Sequence, residues 1–539
     1  MRKDNTYDFE SSWSKYALEE EENRFLSSDE EDLLKICDCI DVKRKRFKKT
    51  SGGIPIHYEN GKLYVLKEGP HCRVEGESGS KKSRTIARGS LVSAVLNRDS
   101  AIITDPKGEI CSDPKIKWLL KQAGVDTHVL DFRNFDKDGV NPLSHIFELL
   151  EKGRMSQANA EIDKHINGLK ESHMGGNDPY WNDQAGDLIR FAEQILGYVL
   201  IQIEDGKKAF NLASVKNFIC QDQRAVKYML EPISQKEPEW SALKGYMDIL
   251  KLPEKTYACV VSSANALLSE YACSDELMKM VSVQTFDIRK FYKRPSVLFL
   301  IVPDEHNAYN TLVGQLIDQF YQILVETYQE IYQNKKDPAC DIKFICDEAA
   351  NLRINDLSSK VSASRSRHID WTLIFQSERQ MAEAYKKDWP TICGNCKHRI
   401  YLGSSDYDIL KNISDQVGVT YFSKDGRPVP LVSVEELRKM KKEKEFKHAL
   451  LLTGNHIYCA ELPDYDVYEF LEEGEVNYAR RVEENETISY TPTDFYKDYN
   501  ANRIFYFGNL VFSRRKEKEE EEEDLFDILD LGLSDWLGN

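Results

Sequence analysis

Apolar residues recur in two rhythms that divide the chain. Ile54 to Tyr58 and Leu63 to Leu66 flank Asn60-Gly61, which predicts a small hairpin closed by an Asn-Gly turn. Between about Glu151 and Lys290 the rhythm is helical, and Leu188, Ala192, Ile195, Val199 and Ile203 fall on one helix face. Beyond it, Val297 to Val302 reads as a buried strand, and Leu312, Leu316, Phe320, Ile323, Leu324 and Ile331 mark one face of a long helix. Lys343 to Cys346, Trp371 to Phe375 and Arg399 to Leu402 are three further strands. Strands alternating with helices predict an α/β doubly wound sheet interrupted by an all-helical insertion. The boundaries that follow are a charged extension over 1–52, an α/β domain over 53–150 and 291–470, the helical insertion over 151–290, and a C-terminal extension over 471–539.

Composition narrows the function classes. The chain has 539 residues, 41% of them hydrophobic, enough for two to four domains at roughly 150 residues each. With 73 basic against 90 acidic residues the net charge is −17, which argues against a generally cationic nucleic-acid binder. No run approaches the roughly 20 apolar residues of a membrane span, and the polar start carries no signal-peptide pattern. Twelve scattered cysteines then read as reduced thiols of a cytoplasmic protein. The first 50 residues, acidic at Glu19 to Glu22 and basic at Lys43 to Lys49, read as a solvated extension. At the other end, an acidic stretch from Lys516 to Asp524 precedes Leu525, Leu529, Leu533 and Leu537 at spacing four, either a docking peptide or a solubilising tail.

Chemistry concentrates in a few motifs. Gly76-Glu77-Ser78-Gly79-Ser80-Lys81-Lys82-Ser83 nearly matches a phosphate-binding loop, whose backbone N–H groups cradle phosphates. In it Lys82 fits the residue that reaches the terminal phosphates, and Ser83 the one that holds Mg²⁺. Lys81 stands where the motif has glycine, and a Cβ there is expected to crowd the loop; the strand before it is polar, with Arg73 and Glu75. Phe344 to Glu348 is an apolar strand ending in paired carboxylates, Asp347 suited to Mg²⁺ and Glu348 to an attacking water. Ser364-Arg365-Ser366-Arg367 precedes the strand that ends in Gln376-Ser377, and such arginines can serve the phosphate of a neighbouring subunit while the glutamine senses it. Cys393 and Cys396 have metal-ligand spacing without a second pair, and Ser433-Val434-Glu435-Glu436 is a helix capping box.

Taken in order, these motifs resemble the type IV secretion coupling proteins, the conjugative DNA-transfer ATPases, and in particular their Gram-positive branch. The similarity runs from about Gly53 to Asp466. Besides the loop it includes Thr104-Asp105-Pro106-Lys107-Gly108-Glu109, Asn141-Pro142-Leu143, Asp178-Pro179-Tyr180-Trp181 and Phe299-Leu300-Ile301-Val302-Pro303-Asp304. It continues through Asp347-Glu348-Ala349-Ala350-Asn351, Ser364 to Arg367, Gln376-Ser377 and Gly394-Asn395-Cys396. The resemblance implies a RecA-like P-loop motor domain with an all-helical substrate-facing domain, a homo-hexameric ring, and export of single-stranded DNA with its attached relaxase. It assigns Gly76, Gly79, Ser80, Lys82, Ser83 and Asp105 to ATP, Ser83 and Asp347 to Mg²⁺, and Glu348, Arg365, Arg367 and Gln376 to catalysis. Family members usually carry an N-terminal pair of membrane helices, which this sequence lacks, so membrane attachment and contact with the secretion channel are expected through a partner. The competing expectation is a non-hydrolysing receptor or adaptor that binds cargo, and Lys81 is the residue that favours it.

Overall fold

The computed structural model describes residues 25–26, 28–42, 52–67, 71–171, 179–303, 309–420, 428–440 and 444–504. The acidic tail, its leucines, and the basic run at Lys43 to Lys49 lie outside these residues.

Continuous apolar runs dictate strands covered on both faces. Such runs form β6 (Ser100–Thr104), β8 (Ser296–Ile301) and β9 (Ile342–Cys346), each buried throughout. They join β5 (His71–Glu75), β7 (Asp126–Asp131), β10 (Ile369–Phe375) and β11 (His398–Tyr401) in a parallel array ordered β11-β5-β10-β9-β6-β8-β7. The hairpin β14 (Phe446–Thr453) and β15 (His456–Pro463) extends it antiparallel beyond β11, and β1 (Phe25–Leu26) adds the outermost strand. A separate ribbon pairs β12 (Val419–Thr420) with β13 (Val429–Pro430).

Alternation along the strands divides the core. Val74, Ile103, Phe299, Ile345 and Ile374 face one layer, with helices α1 (Arg88–Leu96) and α2 (Pro114–Gln122). Ile102, Leu300, Phe344, Trp371 and Phe375 face the other, with the helical segment and the long helix. That segment contains α3 (Pro179–Leu200) and α4 (Gln223–Lys236), and the long helix is α5 (Asn310–Gln333). On α3, Leu188, Ala192, Ile195 and Val199 are fully buried, as their spacing predicts; Ile203 falls in the turn after the helix ends. Among the described residues no helix is long and apolar enough to cross a membrane.

The Asn-Gly hairpin forms as β3 (Pro55–Glu59) and β4 (Lys62–Leu66), with Asn60 and Gly61 both at positive φ as a tight turn requires. A third strand, β2 (Cys37–Asp41), pairs with β4 and corrects the reading of the N-terminal region as a solvated extension. Leu33, Ile36, Cys37 and Ile40 are buried there. Their short pattern switches from helix to strand within a few residues and is interrupted by charge, which hides it from a periodicity reading. The described C-terminal part also packs: from Asp464 the chain crosses α2, where Gly474 approaches Trp118 too closely for a Cβ, and then forms α6 (Pro492–Asn500) against the helical segment. There Phe495 meets the Trp240 ring edge-on at 5.8 Å.

Candidate functional site

Register brings the loop, the carboxylate pair and Gln376 to one end of the sheet. Glu75 lies opposite both Phe375 and Tyr401, and Cys346 lies opposite Leu373. The phosphate-loop candidate therefore leaves β5 beside the end of β10, and Asp347-Glu348 leaves β9 on the other side of that strand. Gln376 sits between them, its Nε2 donating to Glu348 Oε1 at 3.1 Å.

The loop is held tightly. Gly76 N donates to Phe375 O at 3.2 Å, and Glu77 N to Gly403 O at 3.2 Å. A Cβ on Gly76 would come within 2.6 Å of Ser80 Oγ and 2.9 Å of Leu402 Cβ, so only glycine fits. Gly79 and Lys81 both adopt left-handed backbone, φ 78° and 67°. Position 81 thus takes the conformation for which the motif keeps glycine, and an L-residue is strained there. Its side chain does not fold over the loop: Lys81 Nζ donates to Asp464 Oδ2 and to Lys444 O, both at 2.9 Å. The lysine stem is drawn out to the turn after β15, which carries the ammonium away from the loop while the Cβ stays at the left-handed position.

After the loop the chain makes one π-helical stretch, Lys82–Ala87, and continues as α1. Lys82 is buried, and its Nζ donates to Gly76 O at 2.6 Å and Glu77 O at 3.2 Å. Burial depresses its pKa, with Glu348 and Asp347 acting in opposition. Ser83 Oγ donates to Asp347 Oδ2 at 2.6 Å, so the hydroxyl and carboxylate expected at Mg²⁺ are already paired across 264 residues of sequence. Thr104 Oγ1 fixes the Asp347 carbonyl at 2.9 Å, a contact that no motif announced. Glu348 is half-buried with φ 54°, a strained conformation of the kind that clusters at functional sites. Ser80 Oγ is buried with no hydrogen-bond partner among the described residues. Backbone donors on a glycine-pinched loop, a buried ammonium and an adjoining Ser–Asp oxygen pair suit a phosphate with its divalent cation.

The polar strand before the loop also has its explanation. Buried Glu75 accepts from Arg399 at 3.2 Å and from Glu378 N at 3.0 Å, while Arg73 pairs with Glu378 at 2.9 Å. This network ties β5, β11 and the helix after Gln376 together, and burial raises the Glu75 pKa.

Asp105 is placed elsewhere: its Oδ2 accepts from Ile110 N at 2.9 Å and Cys111 N at 2.8 Å, holding the turn after β6 rather than facing the loop. Arg365 and Arg367 lie before β10, at the opposite end of the sheet, Arg365 exposed and Arg367 half-buried. Seven strand residues separate them from Gln376, roughly 20 Å of chain. Neither belongs to the cluster formed by the loop, Asp347, Glu348 and Gln376.

Burial pushes the Asp347 carboxyl up to about 6 from 3.8; the Ser83 hydrogen bond opposes the rise and Glu348 adds to it. A raised carboxyl pKa disfavours the charged folded state above about pH 6, and the cost is relieved as pH falls through 6 toward 4. Asp347→Asn is therefore expected to stabilise the ligand-free protein at pH 7.5 by on the order of 2–3 kcal/mol, or roughly 5 °C. Thermal melts at pH 7.5 and pH 5 check this: the gain should shrink at the lower pH, and a loss of stability at pH 7.5 contradicts it.

A parallel sheet with a phosphate-loop candidate, a carboxylate pair two strands away and a helical insertion defines the P-loop class of nucleotide-binding folds. Residues 30–457 match the family described as Type IV secretory system Conjugative DNA transfer, and the chain belongs to that family of coupling proteins. Similar folds occur in the plasmid coupling protein TrwB. Its complex with the non-hydrolysable ATP analogue ADPNP is 16% identical, covers 81% of this chain and 94% of its own, and has a TM-score of 0.51. The complex with the GTP analogue GDPNP is 15% identical at the same coverage and TM-score. A trigonal form of TrwBdeltaN70 with sulphate is 16% identical, covers 81% and 92%, and has a TM-score of 0.50. No curated protein matches the sequence.

Proposed function

We propose that this chain is a coupling-protein ATPase of a type IV secretion system, which binds ATP with Mg²⁺ at residues 76–83 and moves DNA, its relaxase or another protein cargo toward the secretion channel. The observation that carries the reading is the Ser83–Asp347 hydrogen bond, which joins the two motifs into one site beside Lys82. ATP analogue complexes of TrwB support the choice of ligand. Mg²⁺ would supply charge neutralisation of the phosphates when held by Ser83 and Asp347. Lys82 would give up its loop carbonyls for phosphate oxygens, Gly76, Gly79 and Ser80 would shape the cradle, and Glu348, oriented by Gln376, would align the water. We assign no nucleotide contact to Asp105.

The arginines support a ring. A residue roughly 20 Å of chain from its own site acts on a phosphate only if another copy presents it, and a closed head-to-tail ring such as a hexamer does so. Residues 151–290 form the substrate-facing helical domain in this reading, and membrane contact runs through a partner. The adaptor reading rests on Lys81, whose ammonium reaches Asp464 rather than the phosphate side of the loop.

Hydrolysis by the purified full chain, with and without single-stranded DNA, tests the assignment. DNA should raise turnover, and Arg365→Ala or Arg367→Ala subunits, inactive alone, should regain activity when mixed with inactive Glu348→Gln subunits, because one kind of interface then joins an intact carboxylate to an intact arginine. No regained activity for either arginine contradicts the shared site, and indifference to DNA contradicts DNA as the cargo.

A further inference from the structure

The turn after β15 grips the phosphate loop. Asp464 is fully buried there and receives two cations from the loop and its helix. Lys81 Nζ reaches Oδ2 at 2.9 Å; Arg84 donates from Nε to the same oxygen at 2.9 Å and from a terminal nitrogen to Oδ1 at 2.7 Å. Arg84 also pairs with Asp466. Around them, the guanidinium groups of Arg84 and Arg88 lie 5.0 and 4.9 Å from the Tyr465 ring centre, and the Tyr465 hydroxyl donates to Asp113. Burial alone would raise the Asp464 pKa, but the bonds from Arg84 and Lys81 outweigh it and hold the group below the usual carboxylate range.

Two departures coincide here. Position 81 is the one loop position where the phosphate-binding pattern loses its glycine, and its backbone is nonetheless left-handed. Asp464, the carboxylate that receives that lysine, lies beyond residue 457, where the family match ends. A glycine holds this conformation at no steric cost, whereas a lysine needs something to hold it there.

We propose that Asp464 is a positioning residue for the nucleotide site: through its buried ion pair with Lys81 it holds the phosphate loop in the left-handed conformation that glycine provides in the ordinary motif. Its consequence for nucleotide rests on the function proposed above, whereas its consequence for loop order does not.

The experiment compares the full chain with Lys81→Met, which keeps the Cβ and stem but removes the charge, and Lys81→Gly, which removes strain and tether together. Asp464→Asn is a third variant, and because it also unpairs Arg84 and risks misfolding, Lys81→Met is the primary one. Hydrogen exchange of the amides of residues 77–85 is followed without nucleotide, and affinity for a fluorescent ADP with Mg²⁺ is titrated alongside. Lys81→Met should exchange about tenfold faster and bind about tenfold more weakly, as expected for a local opening about 1.4 kcal/mol easier. Lys81→Gly should stay within about threefold of the parent on both readouts. A merely structural pair would lower the melting temperature of Lys81→Met and leave affinity unchanged, which overturns the proposal. So does Lys81→Met exchanging like the parent, or Lys81→Gly exchanging as fast as Lys81→Met. If no variant, the parent included, binds ADP, the nucleotide reading fails and with it the role of Asp464 at a nucleotide site, while the exchange data still show whether the pair orders the loop.

Discussion

Glu348→Gln should stop ATP turnover while leaving nucleotide bound, with a loss of about 10²–10⁴-fold in the rate. The substitution preserves shape and can keep a hydrogen bond with Gln376, which now reaches Glu348 Oε1 at 3.1 Å, so the loop, Lys82 and the Ser83–Asp347 pair have no reason to move. What is lost is the negative charge that orients and polarises a water, in a reaction where positioning and electrostatics do nearly all the work. The strained backbone at Glu348, φ 54°, fixes where that carboxylate begins, and a neutral amide inherits the position without the chemistry. Filter binding of labelled ATP beside a phosphate-release assay separates the two effects. Unchanged release would mean that another group activates the water.

Lys82→Ala should weaken ATP binding by at least about a hundredfold, the scale of losing charge-assisted hydrogen bonds to phosphate in a partly dry site. Stability should not suffer. Lys82 is buried and its pKa depressed by that burial, and its ammonium donates to the carbonyls of Gly76 and Glu77. Removing it relieves a desolvated charge and leaves the apolar layers around Val74 and Ile345 untouched. Calorimetric titration with ATP and Mg²⁺, together with a thermal melt, checks both halves. Equal affinity in the variant and parent would remove residues 76–83 from the nucleotide site.

Sequence patterns carried much of the parallel sheet because its strands are long apolar runs or end in recognisable motifs, as at Val297 to Val302 and Phe344 to Glu348. The helix face on α3 was equally plain, since Leu188, Ala192, Ile195 and Val199 all turn to one core. Much of the proposed site was visible for the same reason: glycine, lysine and serine at fixed offsets report a backbone geometry. Three things were hidden. The strand β2 carries two aspartates among its five residues, and its buried residues show only against β4. Asp105 follows a strand, as Asp347 does, but caps the next turn, a difference set by local hydrogen bonding. Asp464 meets Lys81 across 383 residues, and no spacing rule reaches that far. Seen only in sequence, Lys81 was therefore a defect; beside Asp464 it is one half of an ion pair.

Steady-state phosphate release from ATP with Mg²⁺ by the purified full chain, set against the Glu348→Gln variant prepared identically, tests the central claim most directly. The composite site of Lys82, Ser83, Asp347 and Glu348 predicts turnover in the parent that is absent from the variant. Release at the same rate by both proteins, or by neither, would contradict it.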